Sequence, residues 1–377
     1  MLRIKSKNVY INESFQKASI IIDGTKIVKI DSYDEKSDID YGDHKILPGL
    51  VDIHCHGYQG FDCNKADEEG LVRWIKDLPK EGCTSFLVSS STAGEDDLIA
   101  SFQLFRKMIE NPIHGAQIVG IHVEGPFISF SKAGAQNKYE IKRCDPKILK
   151  KWYEVSGKNI QLCCVAPEMD LNYKLTEWCC KNDIVVSIGH TDSSYEVASD
   201  AIKHGAKSFT HIYNAMTQLN SRVPGVVGAA LDHDDCYAEL IADGVHVHPA
   251  AARILAKMKG KDHLIIVTDS TAFKGMKPGI YQKNDVTKVV VHEDGSIRLE
   301  NGVLSGSGNC LNKLLKNAIE KMHIDEITAI NAMTKNPCSL LNIKNKGIIA
   351  EGYDADIVVL NQDYEVIQTY CLGRKMV

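Results

Sequence analysis

Residues 184–216 read IVVSIGHTDSSYEVASDAIKHGAKSFTHIYNAM. Two short apolar runs, Ile184–Thr191 and Ser208–Met216, flank an amphipathic stretch, Tyr195–His204, whose apolar positions recur at helical spacing. A strand, a helix and a second strand of this length form a βα unit, and such units repeat only around a parallel sheet. The same rhythm extends in both directions. Before it come the runs Val51–Gly57, Thr84–Ser90, Gln117–Gly125 and Ile160–Glu168; after it come Tyr237–Gly244 and His263–Ser270. Helical patterns fall between them at Ala66–Gly82, Glu95–Glu110, Asp145–Val155 and Pro249–Met258. Eight strands are the number that closes a (β/α)8 TIM barrel. The runner-up, an open doubly wound sheet, lacks the G-x-G-x-x-G expected after its first strand.

The ends of the chain differ from this middle. Residues 3–47 and 356–377 are β-branched runs broken by turn residues such as Asp23-Gly24 and Glu351-Gly352. The expected organisation is an α/β chain with a small β-sandwich domain from residues 1–48 and 346–377, and a barrel over residues 49–345. A hairpin-like insertion is expected at 286–303, before the helical patterns Asn309–Met322 and Ile324–Met333. With 377 residues, 44% of them hydrophobic and 25% charged, the chain has the composition of a soluble globular protein. A net charge of −5 argues against nucleic acid or an anionic membrane as partner. No apolar run approaches the ~18 residues of a membrane span, and no signal-peptide core follows Met1. Twelve cysteines without any C-x-x-C read as reduced, buried thiols in a cytoplasmic protein.

The chemistry is written at the ends of the strand runs, where barrel enzymes build their sites. His54 and His56 close the first run and, at a period of two, share one face while Cys55 faces the helices. Glu124 closes the third, held at the rim by Gly125-Pro126. His190 closes the fifth, His211 the sixth and Asp269 the eighth. A hydrophobic barrel has no packing use for five such residues and an Asp, because ionisable groups are seldom buried without a partner. A metal supplies a common partner, and mixed imidazole and carboxylate ligands suit Zn²⁺, Fe²⁺, Mn²⁺ or Co²⁺ over Ca²⁺ or Mg²⁺. Asp269, beside strand one in a closed ring, is placed to take a proton from an activated water and return it to a leaving group. His122 shares the parity of Glu124 and is read as a supporting or core residue.

The stretch Leu47-Pro48-Gly49-Leu50-Val51-Asp52-Ile53-His54-Cys55-His56-Gly57 resembles the first strand of the amidohydrolase superfamily, which also has a β-sandwich built from both chain ends. Within it, Gly120–Phe127, Gly189-His190-Thr191-Asp192, His211–Met216, Arg222-Val223-Pro224-Gly225, Ile241–His246, Val267-Thr268-Asp269, Leu304–Ser307 and Thr334–Pro337 are similar to the members that deacetylate hexosamine 6-phosphates. The resemblance spans nearly the whole chain. It implies that Glu124, His190 and His211 hold a principal metal, and that His54 and His56 hold a second one, with Glu124 bridging, in members that bind two. It makes Asp269 the general base and acid. Asn214, Ala215, His246, the backbone near Ala135 and Leu304-Ser305 would contact the sugar phosphate. Arg222 would reach the phosphate in a neighbouring subunit, implying a homodimer; a guanidinium fork suits a phosphate dianion.

One position departs from the pattern. Many members carry a histidine after Lys132-Ala133-Gly134-Ala135, where this chain has Gln136, a neutral amide that donates a hydrogen bond but takes up no charge. The expected reaction releases acetate from N-acetylglucosamine 6-phosphate. The alternatives are the same reaction on N-acetylgalactosamine 6-phosphate, another amidohydrolase such as a dihydroorotase or cyclic deaminase, and a catalytically dead binding protein. Ile160–Glu168 offers no lysine for the carbamylated bridge of a binuclear dihydroorotase, and a dead relative would have lost a ligand or the Asp.

Overall fold

The computed structural model describes residues 1–33, 36–283 and 287–377. Its centre is one parallel sheet of eight strands in sequential order: Leu50–Asp52, Cys83–Ser90, Gln117–Glu124, Ile160–Val165, Val185–Ile188, Ser208–Phe209, Tyr237–Leu240 and Leu264–Ile266. The ring closes between the first and last strands. Cys55 pairs with Ser270 in a parallel bridge, Asp269 N–H donates to the His54 carbonyl at 2.8 Å, and His56 N–H donates to the Ser270 carbonyl at 2.6 Å. This is the expected (β/α)8 barrel. The first strand enters hard against the second, and Gly49 makes that approach possible: a Cβ there would lie 2.1 Å from Thr84 Oγ1.

Side-chain parity sorts each strand. Phe86, Val88, Ile121, Val123, Val186, Ile188, Leu240 and Ile266 face outward and pack with Trp74, Phe102 and Trp152 of the surrounding helices. Val51, Ile53, Leu87, Leu162, Ile241, Ile265 and Val267 face inward. Leu340 and Leu341, at the end of a helix over Lys335–Leu340, close this inner layer from below. That helix lies beyond the helical patterns read from the sequence; Pro337 sits in its first turn, where a missing N–H costs little.

The chain termini build a second, mixed sheet. Leu2–Ile11 pairs with Ser14–Asp23 and with Lys45–Pro48, and Lys45–Pro48 pairs with Ile357–Leu360. Both ends of the chain therefore contribute to one continuous sheet, curled on a core of Ile4, Ile20, Ile46, Ile357, Val359 and Tyr370. The expected insertion is larger than a hairpin. Four antiparallel strands, Gly279–Gln282, Lys288–Val291, Ser296–Leu299 and Leu304–Ser307, pack on Phe273. Val286, where the hairpin was expected to begin, lies outside the described residues. Short outer strands with one half-exposed face carry too little apolar alternation to be read in advance.

Candidate metal centre and active site

The residues that end the strands converge at one mouth. His54 and His56 do so from beyond their strand, because regular pairing stops at Asp52 and the chain bends before Cys55 is captured by Ser270. Their Nε2 atoms still meet at 3.1 Å, and Cys55 packs outward with the helix-side core as the alternation required. The sixth strand is also shorter than the apolar run suggested, only Ser208–Phe209. His211 follows in a tight left-handed turn, as do His190 and Asp269, with φ of 26°, 46° and 47°. Three strands thus end on strained backbone that swings a ligand-type side chain over the barrel axis; such strain persists where the surroundings enforce it. Gly189 leaves room for the turn before His190, since a Cβ would sit 2.5 Å from Thr210 Cβ.

Glu124 is the hub. Its Oε1 lies 3.1 Å from His190 Nε2, 3.1 Å from His211 Nε2 and 3.3 Å from His54 Nε2. Its Oε2 lies 3.3 Å from His56 Nε2 and accepts the Gln136 amide N–H at 2.8 Å. Asp269 Oδ1 stands 3.3 Å from His56 Nε2 and 3.7 Å from His54 Nε2. The donor atoms form two groups, Glu124–His190–His211 and His54–His56–Asp269, each within 4.8 Å of one another. Burial opposes the charged form of Glu124, but His190, His54 and His211 around it hold its carboxyl well below the usual range.

Whether a metal fits here is decided by the opposite edges of the rings. His54 Nδ1 faces Glu239 Oε2 at 2.9 Å, His56 Nδ1 faces the Ser89 carbonyl at 2.9 Å, and His190 Nδ1 faces the Lys132 carbonyl at 2.7 Å. Carboxylate and carbonyl oxygens only accept, so each Nδ1 carries a proton donated outward. In the neutral ring each Nε2 then presents a lone pair to the shared centre. Lone pairs and carboxylate oxygens 3.1–3.3 Å apart repel unless something positive lies among them. Gln136 brings a hydrogen-bond donor but no charge. No lysine or arginine forms an ion pair with Glu124 or Asp269 among the described residues. The donor set fits divalent cations, and the outward Nδ1–H bonds are the arrangement that orients imidazole ligands.

The expected substrate residues surround this mouth unevenly. His246 donates Nδ1–H to Asp243 Oδ2 at 2.7 Å, while Asp243 Oδ1 accepts the main-chain N–H of Val245 and His246. Burial disfavours the His246 imidazolium, but the hydrogen bond and charge of Asp243 outweigh it and raise its pKa. Ala135 and Ser305 come together across Lys283, whose Nζ donates to the Ala135 carbonyl and to Ser305 Oγ at 3.0 Å each. Leu304 lies opposite Arg298 in the inserted sheet. Asn214 Nδ2 donates to the His211 and Ile212 carbonyls, and the Ala215 carbonyl accepts from Thr191 N–H. Arg222 is apart from them. It sits in an exposed loop, and its side chain has no hydrogen bond or ion pair among the described residues. His122 stands beside the cluster, its ring edge-on to His54 at 4.6 Å, and His248 accepts from Ala250 N–H at the start of a helix. Glu239, a carboxylate inside the apolar run Tyr237–Gly244, is a site residue that the sequence pattern does not single out. Its signal was its parity with Ile241, which turns it inward.

The strand-end cluster on a closed eight-stranded barrel defines a class. The chain belongs to the amidohydrolase family, whose family model matches residues 46–376. Within that family its relatives are specific. It is 38% identical over 335 residues to the N-acetylglucosamine-6-phosphate deacetylase of Bacillus subtilis, covering 88% of this chain and 84% of that one. It is 29% identical to an N-acetylgalactosamine-6-phosphate deacetylase of Shewanella, covering 87% of this chain and 82% of the other. Among solved structures, an N-acetyl-D-glucosamine-6-phosphate deacetylase variant of Mycobacterium smegmatis, in complex with N-acetyl-D-glucosamine-6-phosphate, superposes with a TM-score of 0.94. That pair is 25% identical and covers 100% of this chain and 99% of the other.

Proposed function

We propose that this chain is a metal-dependent hydrolase that releases acetate from N-acetylglucosamine 6-phosphate and leaves glucosamine 6-phosphate. The observation that carries the reading is the convergence of four imidazole Nε2 atoms on Glu124, with Asp269 at their edge. Glu124, His190 and His211 would hold one divalent cation and His54 and His56 a second, with Glu124 shared; Zn, Fe, Mn and Co suit these donors. When bound, such a cation supplies Lewis acidity that polarises the acetyl carbonyl and acidifies a water.

This chain's residues supply the rest. Asp269 takes a proton from the attacking water and delivers it to the departing nitrogen, so that the C–N bond breaks to acetate and the free amine of glucosamine 6-phosphate. Gln136 is held by Thr92, whose N–H and Oγ both donate to its Oε1, which leaves its NH₂ facing the mouth as donor to the developing oxyanion. Asn214, Ala215, Ala135, Leu304 and Ser305 line the sugar. The Asp243-supported His246 meets the phosphate together with Arg222 of a second subunit, which gives the exposed Arg222 loop its purpose and makes the enzyme a homodimer. No helix among the described residues is long and apolar enough to cross a membrane, and all twelve cysteines are free, which supports a cytoplasmic setting.

Acetate release from the gluco and galacto substrates, measured side by side on metal-loaded protein, tests the reading. The expected result is a higher kcat/KM for N-acetylglucosamine 6-phosphate. Turnover of the galacto sugar alone would reassign the substrate, and phosphosugar binding without acetate release would mark a binding protein.

A further inference from the structure

Glu239 lies on the seventh barrel strand with no solvent exposure, and its side chain reaches both halves of the metal centre. One oxygen, Oε2, accepts His54 Nδ1–H at 2.9 Å and also the main-chain N–H of His211 at 3.2 Å. The main chain adds a third link, since Ile212 N–H donates to the Glu239 carbonyl at 2.9 Å. The other oxygen, Oε1, is buried without a partner, and among the described residues His54 is the one basic group that faces this carboxylate. A buried carboxylate needs positive charge nearby. Nothing in barrel packing asks for one at this position, where the strand residues on either side, Ala238 and Leu240, are fully buried and apolar.

We propose that Glu239 is the positioning residue that makes the His54/His56 half of the centre able to hold a cation. Its carboxylate keeps the His54 proton on Nδ1 and thereby leaves Nε2 bare toward the centre. Its shared oxygen ties that imidazole to the strand end that carries His211. Without this acceptor, the buried Nδ1 proton of His54 has no partner, and moving it to Nε2 turns a ligand into a donor aimed at the cation. His122 offers no substitute, because it meets the His54 ring edge-on and directs Nδ1 to Ser89 Oγ. The proposal rests on the reading that both clusters bind divalent cations, and it assigns Glu239 to only one of them.

The full-length protein, stripped with chelator and desalted, is titrated with Co²⁺, followed by visible absorption and by metal analysis per chain. Wild type is expected to take two equivalents. Glu239→Gln, which keeps the shape and removes the charge, is expected to keep the first and bind the second about 10–100-fold more weakly, with the melting temperature of the metal-free protein unchanged. Glu239→Met, which fills the same volume with no acceptor, gives the same reading should the amide variant not fold. Two equivalents of undiminished affinity in E239Q, whose amide oxygen still accepts, and also in E239M, which has no acceptor, would overturn the role of Glu239 and leave the metal reading standing. Equal weakening of both equivalents with a lower melting temperature would make Glu239 a structural residue and also overturn the proposal. Fewer than two equivalents in wild type would instead remove the two-cation reading itself.

Discussion

Gln136 donates its amide N–H to Glu124 Oε2 at 2.8 Å and stands 3.3 Å from His190 Nε2, so the residue that departs from the family's usual histidine touches the hub of the metal centre. Thr92 fixes which end of the amide faces inward. Gln136→Leu keeps the size and removes the donor. It is expected to lower kcat by about 10²–10³, the usual loss for one oxyanion donor, with bound metal unchanged by elemental analysis. An unchanged kcat would leave carbonyl polarisation to other groups.

Asp269 and Arg222 are assigned to one reaction but to different subunits. Asp269→Asn is expected to reduce kcat by about 10²–10⁴, the range for a general acid–base group. Arg222→Ala is expected to raise KM for the phosphosugar. If the arginine acts across the interface, dissociating and remixing equal amounts of the two variants regenerates about a quarter of wild-type sites by random pairing in a two-fold dimer. Acetate release from the mixture checks this. No recovery would place Arg222 outside the neighbouring site.

Lys274 and Glu81 form a buried ion pair at 2.6 Å, and the same Glu81 oxygen accepts the N–H of Leu311 at the start of a helix. Lys274 belongs to the loop that follows Asp269, so this pair anchors the catalytic strand end to the barrel wall. Burial works against the ammonium, but Glu81 prevails and raises its pKa above the usual value. Lys274→Met strands a buried carboxylate and is expected to destabilise the fold by about 3–5 kcal/mol in urea unfolding.

Glu13 links the terminal sheet to the underside of the barrel. It pairs with Lys261 and, at 2.7 Å, with Lys335, and accepts from Asn331 at 3.2 Å. Hydrogen bonds from the two ammonium groups lower its pKa from 4.5 to about 2. A carboxylate with a depressed pKa in the folded state stabilises above its unfolded pKa, and that stabilisation disappears as pH falls through the folded value. Glu13→Gln is therefore expected to unfold more easily than wild type at pH 6, by about 1 kcal/mol given partial exposure. The two stabilities converge between pH 4.5 and 2. A gap that persists at pH 2 would assign the effect to packing.

Much of this is legible in the amino-acid sequence itself. The eight apolar runs became eight strands because a strand buried on both faces must be continuously apolar over its length. The site residues stood out because His190, His211, Glu124 and Asp269 each interrupt such a run at its end. The left-handed turns at His190, His211 and Asp269 were not legible, since side-chain type alone does not encode a positive φ that the surrounding ring enforces. Glu239 was hidden inside an apolar run, where only its inward parity and the lack of a nearby lysine or arginine marked it. The four-stranded insertion escaped because its outer strands are short and half exposed.

Anomalous diffraction from crystals of metal-loaded protein tests the convergence most directly. The expected map has one peak at about 2.0–2.2 Å from Glu124, His190 and His211, and a second at similar distances from His54 and His56. Full metal loading with the density elsewhere, or with these five side chains turned apart, would contradict it.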